Sequence, residues 1–226
     1  MVFTRRNIYF PLSPVLIQNN PIPFCFTFKF LGVILDFKVN WKAHINRIQS
    51  KLSSACGVMY RLRNKLPRRV ARLLYFSIAF VHINYCNAIW SSCSPSILQS
   101  LFATQKKLIR FIMKKRRDEP SSPLFKKLKI LKLPEINHLN TAIFVFKSIN
   151  QLIPSPIPYQ IRDLGPYNLR REDQIYVPFS RSSHSQRFLH IRGANLWNEL
   201  PLELKTCRSI QSFKFNLKKH LLLRYN

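Results

Sequence analysis

The sequence predicts a predominantly α fold with a small N-terminal β region, an α+β arrangement in which helices dominate. Three observations predict it. From Trp41 onward apolar residues recur at helical spacing. Before Asp36 they fall in short runs punctuated by Pro11, Pro14, Pro21 and Pro23, which exclude helix there. Only 4 of the 226 residues are glycine, too few for a turn-dense barrel or sandwich.

The elements follow in order. Val15-Leu16-Ile17, Phe24-Cys25-Phe26 and the run from Phe28 to Leu35 read as two or three strands. Asn19-Asn20-Pro21 reads as a turn, and a hairpin is expected to end at Asp36. Asn40 is placed to cap a helix whose apolar arc is Trp41, Ile45, Ile48, Leu52, Ala55, Met59 and Leu62. Arg47, Lys51, Arg61 and Lys65 lie on the flank of that arc. Leu66-Pro67 ends it, and Pro67 suits the first turn of the next helix, with Val70, Leu73, Leu74, Ile78 and Val81 as its apolar residues. Leu73 to Gln105 carries no Lys, Arg, Asp or Glu. Its apolar part, Leu73 to Ile83, falls short of the roughly 20 residues that span a bilayer, so it reads as a buried core helix.

Ser94-Pro95 opens a further helix. Leu98, Leu101, Phe102, Gln105, Leu108, Ile109 and Ile112 form one face, and Lys107, Arg110, Lys114 and Arg117 another. Residues 123–133 are amphipathic and Lys-rich, with Leu124, Phe125, Leu128, Leu131 and Leu133 apolar. Pro134 begins a helix with Ile136, Leu139, Ile143, Phe146 and Ile149 in register. Residues 154–187 read as a linker or extended arm. In the tail, Ser209 caps a helix through Ile210, Phe213, Leu217 and Leu221.

Charge narrows the function. Lys and Arg total 37 against 9 Asp and Glu, a net charge of +28. Self-repulsion of this size calls for a polyanionic partner: nucleic acid first, an anionic membrane surface second, with a membrane span not expected. The surplus concentrates between Phe37 and Arg117, where 81 residues hold 17 Lys or Arg and no acid. No Gly-rich phosphate loop can be assembled from Gly32, Gly57, Gly165 and Gly193. The carboxylates are scattered, and the pairs Asp118-Glu119 and Glu172-Asp173 read as solvated loop charges, so metal-assisted catalysis has no donor set. Tyr60, Tyr75, Phe76 and Trp90 could stack on bases, but at helical spacing they read first as core. Five cysteines, an odd count without CxxC spacing, read as small buried residues in a reducing compartment. No signal peptide is evident, which favours a nuclear or cytoplasmic chain over a secreted one.

Phe30-Leu31-Gly32-Val33-Ile34-Leu35-Asp36, with Trp41 and His44-Ile45 after it, resembles the polymerase protein of non-LTR (LINE-type, jockey-like) retrotransposons. So do Tyr60-Arg61-Leu62-Arg63-Asn64, Leu66-Pro67, Leu74-Tyr75, Asn84-Tyr85-Cys86 with Ile89-Trp90, and Gln105-Lys106-Lys107. Arg110-Phe111-Ile112, Pro123 to Leu128, Leu131-Lys132-Leu133, Arg192-Gly193, Leu196-Trp197-Asn198, Leu200-Pro201 and Ser212-Phe213-Lys214 continue it. Order and spacing carry the resemblance rather than any single motif.

The resemblance implies a map. Residues 1–39 resemble the end of the palm and the primer-grip strands, with Phe30, Leu31, Gly32 and Val33 as the grip-like element. Residues 40–120 resemble a basic, helical thumb-like bundle, which in such polymerases clamps template and primer. Residues 121–153 then form a helical extension, 154–187 the linker or arm, and 188–226 a C-terminal helical segment. The implied partner is nucleic acid, an RNA–DNA hybrid or duplex. The expected phosphate contacts are Arg61, Arg63, Lys65, Arg68, Arg69, Arg72, Lys106, Lys107, Arg110, Lys114 and Arg117. The family's aromatic-x-Asp-Asp motif and upstream Asp, which hold Mg in the palm, have no counterpart here, and Asp36 is not one of them. Hence no catalytic residue, no metal and no cofactor are expected of this chain. Met1 is then read as internal to a longer ancestral frame, and the chain as a truncated copy whose further partner is the palm region. The alternatives are a part of an active reverse transcriptase joined to an upstream palm, a non-functional pseudogene product, and a membrane or interaction protein.

Overall fold

The computed structural model describes Phe3 and residues 16–154, 157, 159 and 174–225. Sequence features at Pro11, Pro14, Gly165 and Glu172-Asp173 lie outside the described residues. The fold is predominantly helical, with two small antiparallel sheets near the N-terminus. One continuous hydrophobic cluster runs from Val33 to Tyr225.

β1 (Leu16–Ile17) and β2 (Asn20–Pro21) pair across a turn at Gln18 and Asn19, both with positive φ. The turn thus precedes Asn20-Pro21, which the sequence reading had placed within it. β3 (Thr27–Phe30) and β4 (Val33–Asp36) form the second hairpin, in register from Phe30 opposite Val33 to Thr27 opposite Asp36. Leu31 (φ 45°) and Gly32 (φ 82°) make its two-residue turn. Positive φ at both central residues matches the strand twist, and glycine reaches it without strain.

Asp36 then does the work expected of Asn40. Its carboxylate accepts the N–H groups of Lys38, Asn40 and Trp41, at 3.2, 3.1 and 2.8 Å. Asn40 Oδ1 accepts only Lys42 N–H, and Trp41 occupies the cap position in a left-handed conformation. α1 (Lys42–Leu62) buries Ile45, Ile48, Leu52, Ala55 and Met59, the arc its spacing predicts.

Pro67 stands just before α2 (Arg68–Tyr75) rather than inside its first turn. A π-helical turn (Phe76–Phe80) and α3 (Val81–Asn84) continue the same helical run. Its buried face is Ala71, Tyr75, Ala79 and Ile83, whereas Val70, Leu73 and Val81 are exposed and Leu74 and Ile78 half-buried. That corrects the face expected from the larger residues. The π turn's i→i+5 bonds widen the helix, so residues four apart stay on one side, and two alanines there admit the neighbouring helix closely.

α4 (Asn87–Trp90) leads into α5 (Pro95–Ile112), which buries Leu101, Thr104, Gln105, Leu108, Ile109 and Ile112. α6 (Ser122–Leu128), the short connection after it and Leu133 at the start of the next helix bury all five apolar residues expected of 123–133. α7 (Leu133–Ile149) buries Ile136 and Phe146 but leaves Leu139, Ile143 and Ile149 half-buried, because Asn137, Thr141, Ala142 and Val145 take the inner face. After a 3₁₀ turn at Ser185–Arg187 come α8 (Leu189–Asn198), α9 (Leu202–Lys205) and α10 (Ile210–Leu223). Ser209 Oγ accepts Ser212 N–H at 3.1 Å, the expected cap. Phe146 stacks on Phe213 at 4.5 Å between α7 and α10. Gly193 lets α8 approach α7: a Cβ there would lie 2.5 Å from Tyr159 Oη and 2.9 Å from Val145 Cγ2. Among the described residues, no helix is long and apolar enough to cross a membrane. All five cysteines are free, and only Cys93 is buried, which corrects the expectation that they all are; Cys25 is exposed.

Gln105 is fully buried and joins three elements. Its Nε2 donates to Tyr75 Oη and to Leu131 O, both at 3.0 Å, and its Oε1 accepts Leu133 N–H at 2.8 Å. Gln105→Leu should cost at least about 3 kcal/mol in urea unfolding, since each buried group left unpaired costs about 1–3 kcal/mol. A double-mutant cycle with Tyr75→Phe should be strongly non-additive. His44 gives a second prediction. Its Nδ1 accepts Ile34 N–H at 3.3 Å, and burial, then Arg47, hold it below the usual histidine range. The unfolded chain therefore takes up this proton first as pH falls. The stability is complete above about pH 6.5 and declines below it. His44→Asn should flatten part of the fall in urea midpoint between about pH 7.5 and 5.5.

Candidate nucleic-acid interface

α1 and α5 run parallel. Near their starts, Trp41 Nε1 donates to Ser92 Oγ at 2.8 Å; midway, Gln49 Nε2 donates to Thr104 Oγ1 at 2.6 Å. At their ends the rings of Tyr60 and Phe111 meet edge to face, 5.6 Å apart. The two C-termini therefore lie side by side. The turn after α1 delivers the start of α2 to the same end, from which α2 returns along α5 to the Tyr75–Gln105 bond.

This topology gathers most of the predicted cations. Arg61, Lys65, Arg68 and Arg69 are exposed around the turn. Arg63 lies over the Tyr60 ring at 4.4 Å, and Tyr60 is itself exposed, not core. Lys107 is exposed one turn before the end of α5. Lys114 and Arg117 are exposed at the same end but not on the helix face expected of them: α5 stops at Ile112, and Lys114 is left-handed at φ 54°.

Three of the predicted cations are engaged elsewhere. Arg72 Nε donates to Leu128 O at 3.1 Å and its guanidinium covers Phe76. Arg110 Nε donates to Glu119 O at 3.0 Å. Lys106 turns over Phe102 at 4.3 Å. The acids Asp118 and Glu119 pair locally with Arg116 (3.6 Å) and Lys115 (3.1 Å), which the spacing argument had not singled out. The other cations at this end make no ion pair with described residues. Helix dipoles favour the cations that follow α1 and α5. They disfavour Arg68 and Arg69, which open α2 with no acid and no side-chain cap in its first turn.

A groove of about 320 Å³ lies on another side of the bundle, lined by Gly32, Arg47, Ile48, Lys51, His82 and Tyr85, among others. Tyr85 Oη donates to Leu31 O at 2.5 Å and holds the hairpin tip beside it. Of the grip-like residues, Leu31 and Phe30 are exposed, Gly32 faces the groove and Val33 is buried. Arg47 and Lys51 were visible as a flank four residues apart; only the folded hairpin shows that they face it. Tyr75 and Trp90 are core, and Phe76 is half-buried.

A carboxylate-held divalent ion does not fit the described residues. The Asp36 carboxylate already accepts three backbone N–H groups, and Asp118 and Glu119 each pair with one neighbouring cation at the surface. No cluster of three His, Cys, Asp or Glu occurs among the described residues.

No family model matches the chain, and no solved structure matches it. Over 115 residues it is 29% identical to a probable RNA-directed DNA polymerase from transposon X-element of Drosophila melanogaster. The match covers 47% of this chain and 13% of that protein. The chain is thus similar, over about half its own length and a small part of the relative's, to a transposon RNA-directed DNA polymerase, and this supports a relationship to reverse transcriptases at family level.

Proposed function

We propose that the chain is a non-catalytic, thumb-like part of a reverse-transcriptase-related protein, and that it holds duplex nucleic acid, such as an RNA–DNA hybrid, by phosphate contacts. The observation that carries the reading is the convergence of Arg61, Arg63, Lys65, Arg68, Arg69, Lys107, Lys114 and Arg117 on the joint end of α1, α5 and α2. Arg68 and Arg69 weigh most. A cation opposed to its own helix dipole gains nothing locally, whereas a phosphate there meets guanidinium groups and free helix N–H groups together. Such contacts position a duplex without reading bases. Arg63 stacked on exposed Tyr60 adds a flat, charged surface. The exposed Phe28, Phe30 and Leu31 favour a second component of the same reading: the hairpin tip docks on a palm supplied by another polypeptide segment. On this reading the metal-holding carboxylates belong to the palm, and no primer extension is expected of the chain by itself.

Binding of an RNA–DNA hybrid, measured by fluorescence anisotropy, should weaken steeply with salt, by about 0.9 log unit per log unit of salt for each phosphate neutralised, as for duplex DNA. Replacing Arg68 and Arg69 together by Gln should lower that slope by about 1 to 2 and weaken all sequences alike. Arg72→Gln should instead act on stability. A flat salt dependence, or an unchanged slope in the double variant, rejects the assignment.

A further inference from the structure

A second site lies away from the basic end. A cleft of about 580 Å³ opens between the start of α5 and the start of α7 and is closed on one side by the segment entering α8. Leu98, Phe102, Leu133 and Pro134 form its apolar walls, and among the described residues no acidic one lines it. Two guanidinium groups do: Arg187 from the 3₁₀ turn and Arg192 from α8. The Nε atoms of both, and Ser91 Oγ on the same wall, are buried and have no hydrogen-bond partner among the described residues. Arg192 donates through Nη2 to one neutral acceptor, Ala88 O, at 2.8 Å.

Among the described residues no carboxylate pairs with Arg192. Among the described residues the ionisable groups facing it are Tyr159, Cys93 and His138, whose imidazole burial holds below the usual histidine range. Burial holds the Tyr159 phenol well above its ordinary range and pushes the Cys93 thiol up to about 12, so these two also stay neutral. A half-buried cation facing only neutral groups keeps part of its desolvation cost, and an anion is its natural complement. The planar forks of two arginines suit an oxyanion head, and the volume falls within the range of small-molecule sites.

We propose that this cleft binds a small organic anion, a carboxylate or phosphate head held by Arg187 and Arg192 on an apolar body lying along Leu98, Phe102 and Leu133. The protonated thiol of Cys93 makes the site a binding site rather than a nucleophilic one.

Isothermal titration of the full chain with octanoate, octyl phosphate, 1-octanol and octylamine tests it. One equivalent of octanoate or octyl phosphate should bind saturably, and octanol and octylamine at least about tenfold more weakly. The tighter of the two anions identifies the head. Arg187→Gln should weaken that anion at least about tenfold. Leu98→Trp should block it by filling the cleft, with the thermal midpoint preserved. Replacing Arg68 and Arg69 by Gln should leave it unchanged, which separates this site from general attraction to a basic protein. Equal binding of octanol, loss of anion binding in the Arg68 and Arg69 variant, no effect of Arg187→Gln, or no saturable binding of either anion overturns the proposal.

Discussion

The axial register of α1 against α5 is the constraint on which the rest depends. Apolar packing selects which face of each helix turns inward, but it is non-directional and tolerates sliding along the axis. Buried polar bonds do not. Trp41 to Ser92 and Gln49 to Thr104 pin the two helices at two heights. Gln105 then ties the same stretch of α5 to Tyr75 on the returning helix and to the residues that start α7. A slip of one turn would unpair several buried groups at once. It would also separate Tyr60 from Phe111, and with them the cations that follow each helix.

How much of this was legible follows from which residues do the burying. α1, α5 and α10 bury large apolar side chains at regular spacing, and their inward faces can be read directly. The run over 68–84 hides its inward face behind Ala71 and Ala79 and displays Leu73 and Val81 to solvent, so ranking by hydrophobicity selects the wrong side. α7 defeats the reading differently. Its inner face includes Asn137 and Thr141, and Asn137 Oδ1 accepts from Asn87 at 2.8 Å, a partner 50 residues away. Helix ends were harder still. Nothing local marks Ile112 as the last residue of α5, and a periodic basic face was therefore extended through Lys114 to Arg117. The cations themselves were legible; which of them bond inward, as Arg72 and Arg110 do, depends on carbonyls that only the tertiary fold brings near.

The later helices are joined to the basic bundle largely through α4 and its flanks. α7 and α8 reach it by side-chain bonds: Asn140 to Asn84, Asn87 to Asn137, and Arg192 to Ala88 O. Amides and a guanidinium are demanding partners, since each must be satisfied or pay its desolvation cost. They fix one docking angle where a purely apolar contact would allow several. The Ser91–Cys93 turn sits at this junction and leads straight into α5, so the second half of the chain helps set where that helix begins.

Parallel packing of α1 and α5 also shapes how the chain acquires its structure. Antiparallel helical hairpins assemble from contacts close in sequence. Here the bonds that lock the first pair join residues 48 to 55 positions apart. Loops of that size must close before α5 can cover its side of α1, a larger loop-closure cost than an antiparallel helical hairpin carries. During synthesis the side of α1 that packs on α5 stays uncovered until α5 has emerged, although β4 and the 68–84 run contact α1 earlier in the chain. Over that interval part of the apolar stripe that includes Ile45, Ile48 and Leu52 lacks its native cover.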